Sequence, residues 1–156
     1  MFSRAFFVLC SVVVLGATLA SAAPQAQAHI VRQTGDLECN INRVRILGEI
    51  FLVGQTARNL TQELASDHQG SILIGVVNKA LVSTEDGLAD IASALFNQQP
   101  SPAAAITQVG NGISDMFDAA SNITSTNAAV KENVNTLKGQ LQEASFAGDK
   151  VEETCK

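Results

Sequence analysis

The chain has 156 residues, 46% of them hydrophobic and only 4% aromatic, with a net charge of −5 at neutral pH. No basic cluster is present to neutralise a phosphate backbone, so nucleic acid and anionic membrane surfaces are not expected partners. Trp and Tyr are absent, which removes the amphipathic rings that most often stack on sugars or bases.

The chain opens with Arg4, an apolar run over 5–19 and the small residues Ala20, Ser21 and Ala22. This is the pattern of a secretory signal peptide over residues 1–22, cleaved after Ala22. The run is too short to span a bilayer, and no second one of about 18 residues follows. The expected mature chain is therefore extracellular, released or held at a surface such as a cell wall. Loss of Arg4 takes its charge to −6.

Residues 23–35 are rich in Ala and Gln with one Pro, the composition of an unpacked tail, and Arg32 is a lone candidate for propeptide processing. Residues 36–156 carry the folded domain. Cys10 leaves with the signal peptide, so Cys39 and Cys155 remain. In an oxidising compartment two cysteines are a pair. Closing a loop of that length stabilises a fold by about 4–5 kcal/mol on the chain-entropy account.

A first helix, capped by Asp36, is expected to run to about residue 66. Its stripe reads Cys39, Ile46, Ile50, Val53, Ala57, Leu60 and Leu64, at steps of three, four and seven. Ile41, Val44, Leu47 and Phe51 widen the apolar arc beyond one seam. Either two neighbours cover them or part of the arc faces outward. A turn over 67–70 follows, with His68 in it and Gly70 suited to a left-handed cap.

The second helix, over about 71–97, repeats the pattern with Ile74, Val77, Leu81, Thr84, Leu88, Ile91 and Leu95. Pro100, Ser101 and Pro102 then break the chain, with Ser101 as cap and Pro102 in the first turn of the third helix. That helix places Ile106, Val109, Ile113, Met116, Ala120 and Ile123 on one stripe. Gly110 and Gly112 are its expected weak point, at about 1 kcal/mol each relative to alanine. The last helix, from Asn127, carries Val130, Val134, Leu137, Leu141, Ala144, Gly148, Val151 and Cys155.

Four amphipathic helices with short connections predict an all-α fold, an antiparallel up-down four-helix bundle. That topology puts the start of the first helix and the end of the fourth at one pole, where Cys39 and Cys155 can bond. Sequons stand at Asn59 and Asn122. On a wheel of about 100° per residue each falls opposite a core residue, Ile50 and Ile113, and so faces solvent.

No enzyme is expected. His29 and His68 lack partners at ligand spacing, so neither a metal nor another cofactor is implied. Asp86 with Asp90, and Asp115 with Asp118, lie off the apolar stripes and read as solvated surface. Small residues in the seams, Ala57, Ala120, Ala144, Thr84 and Gly148, either let helices approach closely or leave a slot for an alkyl chain.

In layout the chain resembles the small secreted helical proteins of fungi grouped as hydrophobic surface-binding and cell-wall galactomannoproteins. The shared features are the cleaved signal, the Ala- and Ser-rich acidic helical domain, the low aromatic content and the sequons. The resemblance implies adsorption to hydrophobic surfaces or lipid binding. The residues themselves point to a non-enzymatic binding protein acting on a hydrophobic surface or a small lipid, with Ile41, Val44, Leu47 and Phe51 as its apolar face. The alternatives are an interaction protein that engages a secreted partner, as an effector or enzyme inhibitor, and a structural wall component.

Overall fold

A computed structural model describes residues 37–155; the expected signal peptide, the expected tail with Arg32 and His29, the expected cap Asp36, and Lys156 lie outside them. The helices are α1 (Leu37–Glu63), α2 (His68–Phe96), α3 (Ala103–Ser121) and α4 (Ala128–Thr154). Among the described residues there is no strand. α1 packs most extensively on α4 and α2 on α3, while α1 with α2 and α3 with α4 meet along narrower seams. Each helix thus has two main neighbours in ring order, as an antiparallel up-down bundle requires. Cys39 and Cys155 are bonded, with their Cα atoms 5.1 Å apart, so the first turn of α1 is tied to the end of α4.

The helix boundaries follow local chemistry. Asp67 caps α2, its carboxylate accepting from the Gly70 amide at 3.0 Å, so His68 and Gly70 belong to the first turn of the helix rather than to a loop. Gly70 therefore does not adopt the expected left-handed conformation; the one non-glycine residue with positive φ (56°) among the described residues is Gln98, past the end of α2. The Gln98 amide donates to Leu95 O and the Gln99 amide to Ala94 O, the paired bonds that close a helix C-terminus around a left-handed residue. Ser101 does not cap α3: Pro102 holds that place at φ −62° without a side-chain bond, and the Ile106 amide donates to its carbonyl. Asn127 caps α4 through its side-chain oxygen and the Ala129 amide, at 2.9 Å.

The core is aliphatic. Ile50, Val53, Leu60 and Leu64 meet Val77, Met116, Leu137 and Leu141 in its fully buried centre. Every residue of the stripe expected for α1 is buried. Elsewhere the buried line departs from the largest side chains. In the second half of α2, Gly87 and Ala94 are buried while Leu88, Ile91 and Leu95 are half-buried at the rim. In α3, Ala105 is buried and Ile106 exposed; in α4, Ala147 is buried while Gly148, Val151 and Cys155 are half-buried.

Close approach explains the pattern in the α2–α3 pair. A Cβ on Gly87 would lie 3.0 Å from both Ala105 O and Val109 Cγ2, and one on Gly112 would overlap Thr84 Oγ1 and lie 3.1 Å from Ala80 O. Where two backbones come this near, the line between them is held by the smallest residues, and larger neighbours are displaced to its edges. α3 accordingly runs unbroken through Gly110 and Gly112. The Thr84 hydroxyl, fully buried, donates to Ala80 O at 2.9 Å, so its polarity is satisfied within its own helix.

Candidate functional site: the outer face of the first helix

α1 carries two apolar stripes. The inner one, described above, fills the core. The outer one begins at Leu37 and continues through Ile41, Val44, Gly48 and Phe51, again at alternating steps of four and three, with Leu52 beside it. Ile41 lies opposite Ile50 on the helix wheel at about 100° per residue, so core and outer stripe point in opposite directions. The exposure of these side chains runs from 41% for Leu52 to 73% for Leu37, with Ile41 at 56% and Val44 at 52%. Of the four residues that widen the predicted arc, Ile41, Val44 and Phe51 face outward, and Leu47 is half-buried between the two stripes. Gly48 leaves a notch in the middle: a Cβ there would meet no heavy atom within 4 Å.

The flanks differ. Toward α2 the border is mixed, with Arg58 of α1 close to Glu85 of α2. The Asn78 side-chain Nδ2 donates to Thr61 Oγ1 at 3.1 Å, and a Cβ on Gly54 would rest 3.7 Å from Leu81 Cδ2. This antiparallel register brings the end of α2 alongside the start of α1, and with it Phe96, 72% exposed. Toward α4 the border is charged. Arg45 forms an exposed ion pair with Glu143 and lies 5.7 Å from the centroid of the Phe146 ring, which Lys150 also approaches at 5.6 Å. Below this rim the α1–α4 seam is closed by polar bonds: Thr56 Oγ1 to Gln140 Oε1 at 3.0 Å, and Asn133 Nδ2 to Glu63 Oε1 at 2.8 Å.

The remaining polar groups do not converge. Asp86, Asp90, Asp115, Asp118 and His68 are all exposed. Among the described residues no three or more His, Cys, Asp and Glu side chains are grouped to hold a metal ion. Burial raises the Glu85 carboxyl above the ordinary carboxylate range; nearby Arg58 pulls it down and Asp86 adds to the rise. An open groove of about 430 Å³ runs between α2 and α3, lined by Ala80, Ser83, Thr107, Gln108, Gly112 and Asp115 among others. Gln108 bridges it, donating to Ser83 O at 2.8 Å.

Both sequon asparagines are exposed. Asn59 continues the outer face of α1, two turns beyond Leu52. Asn122 ends α3, its side-chain nitrogen donating to Asp118 O at 2.8 Å. Of the small seam residues, Ala57, Thr84, Ala120 and Ala144 are fully buried, whereas Gly148 is half-buried beside open space.

Leu37, Gly48 and Leu52 belong to the outer face, with Phe96 of α2 near its level, and the sequence alone does not single them out. A second 3.5-residue period on α1, displaced from the core stripe, is the signal that marks the first two. Phe96 carries no such signal, because its place depends on how α2 aligns with α1. No helix among the described residues is long and apolar enough to cross a membrane. No family model, curated protein or solved structure matches the chain.

Proposed function

We propose that the chain is an exported, non-enzymatic binding protein that adsorbs to hydrophobic surfaces through the outer face of α1. One observation carries the reading: an apolar stripe several turns long, bordered by charge on one side, stands in water on a helix whose opposite face already fills the core. Bulky side chains in such a row contribute little to the fold, and contiguous apolar surface of this kind marks interaction sites on soluble proteins. The Cys39–Cys155 bond suits an oxidising compartment, and the signal-like start of the sequence supports export.

The low-aromatic, acidic helical layout shared with the fungal surface-binding proteins supports the same choice of partner. Carriage of a lipid inside the bundle has less support, since Ala57, Thr84, Ala120 and Ala144 are packed within the core and Gly87 and Gly112 bring backbones together. The test is adsorption of the secreted protein to alkyl-coated silica beside a helical control of similar size and charge. Greater uptake than the control is expected; equal uptake contradicts the reading.

A further inference from the structure

Leu37, Ile41, Val44, Gly48 and Phe51 have the spacing of a coiled-coil seam, a geometry fitted to another helix as well as to a flat surface. We propose that a second copy of the chain supplies that helix, with α1 docked antiparallel on α1 about a two-fold axis. The seam is the one proposed above for adsorption, so pairing withdraws that face in solution, but the pairing itself does not depend on adsorption.

Charge selects the orientation and the register. Along the α4 border of the seam stand Glu38 and Arg45, one heptad apart; along the α2 border stand Asn40, Leu47 and Gly54, none of them charged. In an antiparallel pair, border residues of the same kind face each other, whereas in a parallel pair each faces the opposite border. A parallel pair therefore gains no ion pair here. Three antiparallel two-fold registers, each one heptad from the next, keep the seam in contact. The first sets Glu38 against Glu38 of the second copy, and the last sets Arg45 against Arg45. The middle register sets Glu38 of each copy against Arg45 of the other.

Shape favours the same middle register. It packs Ile41 against Val44 of the second copy in both directions and lays Leu37 over Gly48, the notch where a Cβ would have no neighbour within 4 Å. Arg45 is already paired with Glu143 and Glu38 already interacts with Lys150 of its own chain, but Glu38 is exposed, the Arg45 and Glu143 side chains are about half exposed, and a guanidinium has donors enough for two carboxylates.

Sedimentation equilibrium of the disulfide-bonded protein at low salt tests this. A concentration-dependent monomer–dimer equilibrium is expected for the wild type. Arg45→Glu and Glu38→Arg should each weaken dimerisation by about tenfold or more, with the helical circular dichroism retained. Mixing these two variants in equal amounts should restore a dimer containing one of each, because their reversed charges then complement one another. Val44→Asp, which leaves both border charges in place, should also be monomeric. A wild type that stays monomeric at every concentration, a mixture that forms no mixed dimer, or tighter dimerisation by Arg45→Glu would overturn the proposal. Adsorption measured on the same samples reads the surface-binding proposal separately, and its failure leaves the sedimentation result unchanged.

Discussion

Gly112 of α3 sits so close to Thr84 of α2 that a side chain on Gly112 would occupy the space of the Thr84 hydroxyl. Two residues earlier, Gly110 faces open space. Both lie in the same helix, and both have ordinary helical backbone, since no described glycine has positive φ.

The two glycines therefore separate intrinsic helix propensity from packing. Gly110→Ala should stabilise the protein by about 0.5–1 kcal/mol through helix propensity and loss of unfolded-chain freedom. Gly112→Ala should destabilise it by about 1–3 kcal/mol, the usual cost of overpacking. Urea denaturation followed by circular dichroism at 222 nm measures both. Equal and favourable shifts would mean that α2 and α3 are further apart than described.

The sequence could not distinguish these positions, because propensity assigns one cost to every helical glycine. Its success elsewhere has the same root. Along α1 the buried line runs through large aliphatic residues, and hydropathy at helical spacing finds it from Cys39 to Leu64. Along α2 and α3 the backbones approach, the buried line passes through Gly87, Ala94, Ala105 and Gly112, and a reading that ranks residues by apolar size picks Leu88, Leu95 and Ile106 beside it. Ile41, Val44 and Phe51 were legible as an excess of apolar surface. Whether a neighbour covered them was not, since α1 gives no sign of how its neighbours sit around it.

The bond between Cys39 and Cys155 spans 116 residues of sequence. It constrains the unfolded chain far more than the folded one, so the paired substitution Cys39→Ala and Cys155→Ala should lower stability by about 4 kcal/mol. The far-ultraviolet spectrum at zero denaturant should stay helical, because the bundle core from Ile50 to Leu64 lies away from that pole. Matched urea transitions of the oxidised protein and the variant provide the measurement. A difference below about 1 kcal/mol would show that the link adds no constraint of this kind.

Glu85 gives a pH dependence with a defined sign. Burial raises its carboxyl in the folded protein, outweighing the attraction of Arg58. A raised folded-state value favours the neutral acid. The stability this confers is full below the unfolded value, about 4.3, and is lost as pH rises through the folded one. Glu85→Gln removes the loss, so the variant should gain on the wild type as pH goes from 4 to 7. Denaturation at the two pH values checks it, and a gain that shrinks with rising pH would contradict the assignment.

The most direct measurement of the central claim compares two faces of one molecule. Ile41→Ser with Val44→Ser strips the outer stripe of α1. Ile72→Ser with Val76→Ser removes two exposed aliphatic residues of similar exposure from α2. Adsorption isotherms on alkyl-coated silica should show the α1 variant binding about tenfold more weakly, from the apolar area it no longer buries, with the α2 variant close to the wild type. Adsorption reduced equally in both, or in neither, would contradict a binding face on α1.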